Sequence, residues 1–196
     1  MPPLLPSSPL PGIHTLELTT AEAPRLQRFF EANPALFLAT TGDVAQPTDA
    51  VDEITSPVPA GWHHTKKWVI GYADERGELA AMANVITDLL ADTVFHIGTF
   101  IVATDRHGNG DAQALYGGLE DWSRDNGADW MRLGVVVGNT RAERFWASQG
   151  YVPVRRREGI EMGRRVVSVQ TMVKPLTQAP MAHYLAMVAR DRADGA

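Results

Sequence analysis

The chain has 196 residues, 44% of them hydrophobic and 21% charged, with a formal net charge of -5 and no cysteine. That size and balance describe one soluble globular domain able to bury about two-thirds of its unfolded surface. The acidic sum offers no attraction to nucleic acid or to an anionic membrane, and the lack of cysteine excludes disulfides, thiolate metal ligands and a cysteine nucleophile, in keeping with a reducing, cytoplasmic setting.

Met1 to Gly12 (MPPLLPSSPLPG) lacks a basic start and its prolines break the apolar run, so it reads as a flexible proline-rich leader or an extended lead-in to the first strand, and not as a signal peptide. No apolar stretch reaches the length of a membrane span. Ile13 to Leu18 alternates as a short strand does. Thr20 is a suitable N-cap for a helix over Ala21 to Glu31, with Leu26, Phe29 and Phe30 on one side. Asn33-Pro34 interrupts it. Ala35 to Thr41 is apolar and either helical or extended, Thr48 can cap a helix over Asp49 to Ile54, and Ser56 to Gly61 (SPVPAG) is a loop.

Strands dominate from Lys67. Trp68 to Ala73 and Glu78 to Val85 flank a hairpin turn, Asp74 to Gly77. Thr93 to Thr104 and Trp130 to Val137 are near-continuous apolar runs, as buried central strands require. Between them a glycine loop, Arg106 to Asp111 (RHGNGD), opens a helix on which Ala112, Leu115, Leu119 and Trp122 share a face, and Asn126-Gly127 ends it. A glycine loop between a strand end and a helix start presents N–H groups at the positive end of the helix dipole, which suits phosphate. Tyr151 to Arg156 and Val166 to Lys174 are two further strands around a turn at Glu158 to Gly163. Met181 to Arg192 is a helix carrying Met181, Tyr184, Leu185 and Val188 on one face. The order implies an α/β fold of the α+β kind, a central mixed β-sheet flanked by helices.

With the residues read in this order, Lys67 to Leu176 resembles the GCN5-related N-acetyltransferase superfamily. The family's phosphate loop, Arg/Gln-x-x-Gly-x-Gly/Ala, is met at His107-Gly108-Asn109-Gly110-Asp111-Ala112, with His107 in place of the usual Arg or Gln. The family's second motif is met at Asn139, Ala142, Phe145, Trp146, Gly150 and Tyr151. The resemblance implies the acyl-CoA N-acyltransferase fold over residues 13–176, with 177–196 as a helical extension that either packs on its own domain or joins two copies into a homodimer. It implies acetyl-CoA (coenzyme A) as cofactor and a small-molecule amine as acceptor. Backbone groups of Phe100, Ile101 and Val102 would pair with the pantetheine arm, and amides of Gly108 to Ala112 would hold the diphosphate. Asn139 would bond the pantetheine amides or cap its helix, and Phe145 and Trp146 would be cofactor contacts or core. Trp146 stands where many members carry a tyrosine that protonates the departing thiolate, and an indole N–H cannot do so.

His96 occupies the place where relatives carry a glutamate base. It is either the general base or a histidine hydrogen-bonded within the sheet. Asp49, Asp52 and Glu53, at helical spacing, either draw a cationic amine or form a solvated face. Trp62, His63 and His64 have no third ligand to make a metal site. Arg155, Arg156 and Arg157 either read a polar acceptor group or are solvated hairpin charges. Two alternatives to a small-molecule N-acetyltransferase follow: a non-catalytic acyl-CoA sensor, and an enzyme that acetylates protein N-termini or lysines.

Overall fold

The structure, a computed structural model, describes residues 5–193. Seven strands form one mixed sheet in the order β1-β2-β3-β4-β5-β7-β6. They are β1 (His14–Glu17), β2 (Lys66–Ala73), β3 (Leu79–Thr87), β4 (Val94–Val102), β5 (Trp130–Val136), β6 (Val152–Met162) and β7 (Arg165–Pro175). The helices are α1 (Ala23–Ala32), α2 (Ala35–Thr40), α3 (Asp49–Thr55), α4 (Asp111–Asp125), α5 (Thr140–Ser148) and α6 (Met181–Met187). Every neighbouring pair is antiparallel except β4 and β5. Among the described residues no helix is long and apolar enough to cross a membrane.

β2 and β3 are buried along almost their whole length because helices cover both faces. Their turn is built by Asp74, whose Oδ1 accepts from the N–H of Arg76 and of Glu78, both at 2.9 Å. One face carries α4 and α5 over Ile70, Tyr72, Val85, Phe95 and Leu133. The other carries α1 to α3 over Val69, Met82 and Ile101, with α6 over Val94, Trp130 and Val173.

The feature that positions the site is a break in the middle of the sheet. β4 pairs with β5 only from Val94↔Trp130 to Ile97↔Leu133. Beyond that, β4 stays with β3 through Val102 and β5 stays with β7 through Val136. A bulge starts the parting: Asn84 faces Thr99 and Val85 faces Ile97, which leaves Gly98 unopposed.

Several expectations change. Thr19, not Thr20, is the cap. It forms a capping box with Glu22 over a 3-10 turn, and α1 starts only at Ala23 because Pro24 fits a first helical turn. The last hairpin is longer than its sequence implied: bulges absorb the charged stretch from Arg155 to Ile160, and β6 runs on to Met162. In the proline-rich leader Pro6 is buried, while Ser7, Pro9, Pro11 and Gly12 are exposed. Leu5 and Leu10 join the core, and the Ser7 carbonyl lies so close to α4 that a Cβ at Gly118 would meet it at 2.7 Å. The missing side chain of Gly118 leaves the groove that admits it. The C-terminal helix stops at Met187, and a 3-10 turn over Ala189–Asp191 follows. That segment packs on its own sheet through Tyr184 and Val188.

Candidate active site

A cavity of about 200 Å³ opens where β4 and β5 part. Phe100, Ile101 and Val102 of β4 form its floor. Leu36 and Ala39 of α2 stand on one side, and Asn139, Arg141, Ala142, Phe145 and Trp146 on the other. His107 and Ala112 close the end nearest α4. Of the residues expected to meet the cofactor, Phe100, Ile101, Val102, His107, Ala112, Asn139, Phe145 and Trp146 therefore line one space. Gly108, Asn109, Gly110 and Asp111 do not line it; they form the turn beyond its end, where the glycines and Asn109 face solvent.

That turn is shaped for an anion. Gly108 and Gly110 have φ of +86° and +84°, a left-handed backbone that favours glycine, and a Cβ at either would project into open space. Gly110 caps α4 with no side-chain bond. Among the described residues nothing accepts from the N–H groups of Gly108, Gly110, Asp111 or Ala112. Unpartnered donors at a helix N-terminus are what a diphosphate requires. His107 latches the turn from behind: its Nε2 lies 2.8 Å from the Val102 carbonyl, and because a carbonyl only accepts, that nitrogen carries the hydrogen. Arg106 pairs with Asp111 at 3.2 Å, which offsets a carboxylate beside the anion site.

Asn139 does cap its helix, since its Oδ1 accepts from the Ala142 N–H at 3.3 Å. The Nδ2 group is left for the cleft that Asn139 lines. Phe145 stacks on Phe100 with centroids 6.2 Å apart, and Trp146 packs edge-on against Tyr116 at 5.3 Å. Both are core and cleft wall at once. Behind them the Tyr116 and Tyr151 hydroxyls bond at 3.2 Å, and burial raises both phenols above their ordinary value. Neither lines the cleft, so neither supplies the acid that Trp146 lacks.

His96 has a geometry its spacing did not reveal. It sits opposite Arg132 across the parallel pair, and an Arg132 guanidinium N–H donates to its Nδ1 at 3.1 Å. Arginine is always a donor, so Nδ1 accepts and Nε2 keeps the ring hydrogen. Burial, with the Arg132 cation beside it, pushes the imidazole down from 6.5 to about 3. The one basic lone pair is thus spent on a cation, which argues against His96 as the proton acceptor. Arg132 is itself held by Asp191, Nε to Oδ2 at 2.7 Å and Nη2 to Oδ1 at 3.0 Å. Tyr184 donates to the same carboxylate at 2.6 Å, and Arg157 reaches it at 3.5 Å. Burial alone would raise Asp191; the Arg132 and Tyr184 bonds outweigh it and hold the carboxyl below its ordinary range.

A pH dependence of stability follows. The unfolded chain takes a proton at His96 below about pH 6.5 that the folded chain refuses until about 3. Stability is therefore full above 6.5 and lost as the pH falls, by about 2 kcal/mol between pH 7 and 5. Urea titrations of the protein and of His96→Gln will read it: the variant, whose amide oxygen can still accept from Arg132, has the shallower slope. Equal slopes would remove His96 from the account.

Other marked residues are elsewhere. His63 pairs with Asp92 at 2.9 Å and His64 bonds its own loop at Trp62, both exposed. Arg156 pairs with Glu158 on the surface, and Arg155 holds the Arg190 carbonyl. Among the described residues no group of three or more His, Cys, Asp or Glu could hold a metal ion. The turn of the last hairpin docks on α2, with Arg164 N–H donating to the Thr41 carbonyl at 3.0 Å and Arg165 to the Ala39 carbonyl at 3.1 Å.

Residues 35–151 match the model of the Acetyltransferase (GNAT) family. No curated protein matches the chain. Solved structures do. An acetyltransferase from Thermus thermophilus is 17% identical, with 84% of this chain and 97% of that one covered and a TM-score of 0.64. The ribosomal-protein-S18-alanine N-acetyltransferase of Escherichia coli is 15% identical over 86% and 96%, with a TM-score of 0.63. Spermidine N-acetyltransferase from Vibrio cholerae, in complex with CoA and spermine, is 15% identical over 84% and 95%, also with a TM-score of 0.63. At such identities these likenesses establish the fold.

Proposed function

The chain belongs to the GNAT family of acetyltransferases, and from that premise we propose that it carries an acetyl group from acetyl-CoA to the primary amine of a small molecule. The observation behind this is the single cleft that joins the parted strands to an unpartnered anion turn. When bound, acetyl-CoA supplies a thioester carbonyl carbon open to attack by an amine. The N–H groups of Gly108 to Ala112 and the α4 dipole would hold its diphosphate. Backbone of Phe100 to Val102 would align the pantetheine arm in the manner of an added strand. Asn139 Nδ2 would reach an amide of that arm, while Phe145 and Trp146 keep water from it.

The fold neighbours act, by their names, on acceptors as different as a ribosomal-protein alanine and spermidine, so the fold does not choose the acceptor. The docking of the hairpin turn on α2 favours a small one, because it narrows the approach that a polypeptide would need. A non-catalytic acyl-CoA-binding role is the reading that Trp146 favours, since no tyrosine lines the cleft.

Saturating acetyl-CoA at about 100 times its dissociation constant adds ~2.7 kcal/mol of stability. The melting temperature then rises by roughly 5–10 °C, and ATP leaves it nearly unchanged. Release of free thiol on addition of amines separates the enzyme from the sensor. No shift at millimolar acetyl-CoA would overturn the cofactor assignment.

A further inference from the structure

We propose that a second cavity, on the α1–α3 face, is the acceptor subsite and that it takes a small diamine. This rests on the acetyltransferase reading above. The cavity, of about 370 Å³, is lined by α3, β2, β3 and the loop after α3. Glu53 lies over the bulge of β4: its Oε1 accepts from Asn84 Nδ2 at 2.6 Å and its Oε2 from Thr99 Oγ1 at 3.3 Å. Thr99 directly precedes Phe100, which lines the cofactor cleft. Neighbouring strand residues alternate across the sheet, so Glu53 stands on the α1–α3 face of β4 while Phe100 packs on the α4–α5 face, and an amine would reach the thioester through the break between β4 and β5.

Asn84 is the second, independent observation. It is 7% exposed, and its Nδ2 is spent on Glu53. Its Oδ1 is buried with no hydrogen-bond partner among the described residues. A buried acceptor left unmet costs about 1–3 kcal/mol, which a donor arriving with a ligand would recover. A carboxylate and an amide oxygen side by side offer acceptors only, and an ammonium offers three donors.

Asp49 and Asp52 line the same cavity. With Glu53 they place three carboxylates there against one cation, Lys67, whose Nζ is turned to the Ser56 carbonyl at 2.9 Å. Among the described residues the lining carries a net charge of −2. Four residues of helix separate Asp49 from Glu53, ~6 Å along the axis, which is the reach of a chain of about three or four methylenes. Phe30 and Phe37 give those methylenes an apolar wall.

In the transfer, the ammonium beside Glu53 gives one proton to the carboxylate. The freed nitrogen lone pair bonds the acyl carbon while the C–S electron pair leaves with sulfur. The surplus N–H proton ends on that thiolate, and Glu53 returns its proton to water. Amide, free thiol and one proton are the products.

The test is thiol release from acetyl-CoA with diaminobutane, butylamine and aminobutanol, matched in chain length. Loss of one ion pair in a half-buried site is about ten-fold, so diaminobutane should exceed both by at least about that factor in kcat/KM. Glu53→Gln, which keeps the side chain's size and one acceptor for Asn84 while its NH2 can donate to the Thr99 hydroxyl, should cut kcat by about 100-fold while acetyl-CoA still raises the melting temperature. Asp49→Asn with Asp52→Asn should bring the preference for diaminobutane over butylamine towards unity, through KM. If monoamines turn over as well as the diamine, or Glu53→Gln is fully active, the acceptor assignment is wrong and the transferase reading stands. If acetyl-CoA neither binds nor yields thiol with any amine, the transferase reading itself fails.

Discussion

Asp191→Ala lowers the melting temperature by roughly 6–20 °C. Asp191 is fully buried and Arg132 is 5% exposed, and the two make a paired bond along one guanidinium edge, Nε and Nη2. Removing one partner of a buried pair strands the other charge and costs about 3–5 kcal/mol. At this chain length each 1 kcal/mol is worth about 2–4 °C. Tyr184 loses its acceptor as well. Replacing both charges, as Arg132→Met with Asp191→Leu, should recover at least half of the loss, since well-packed apolar substitutes are often neutral. Thermal melts of the protein and the two variants decide it. A single variant within about 1 kcal/mol of the parent would mean that water or another group already satisfies Arg132.

Gly110→Val abolishes acetyl-CoA binding while the protein remains folded. Its φ of +84° forces a β-branched residue into the left-handed region, at a cost of about 1–3 kcal/mol. The larger effect is on the ligand. A Cβ at this position projects into open space, with no atom of a residue beyond its chain neighbours within 4 Å, so the added bulk falls on the side open to a ligand. Two charge-assisted bonds to phosphate are worth about 1.5–3 kcal/mol each, so affinity falls by at least about 100-fold. Calorimetric titration below the variant's melting temperature, with circular dichroism to establish folding, separates the two effects. Unchanged affinity would place the diphosphate elsewhere.

Local features of the site were legible in the sequence. His107 to Ala112 and Asn139 to Tyr151 are short spacings whose chemistry depends on the chain's own turn and helix, and each forms where its spacing puts it. What pairing decides was not legible. His96 reads either as a base or as a histidine bonded within the sheet, and only the parallel register, which sets it against Arg132, supplies the bond. Asp191 falls within the helix expected over Met181 to Arg192 with nothing to mark it there, and its partner is 59 residues away. One signal was present: Arg132 is the only charge in the strand WMRLGVV, and a guanidinium in a buried strand demands a counter-charge. Glu53 was visible only as one of three acids; Asn84 and Thr99, which single it out, come from two other strands.

The 59-residue gap between Arg132 and Asp191 also bears on how the protein is made. A ribosome delivers β5 well before the carboxylate that neutralises it. During that interval the centre of the sheet holds an uncompensated cation, and sealing it from water is unfavourable. Closure of the sheet at β4 and β5 is therefore expected to wait for Tyr184 and Asp191. A truncation that ends before Tyr184 will be handled by chaperones and proteases as unfinished, even though its cofactor motifs are all in place.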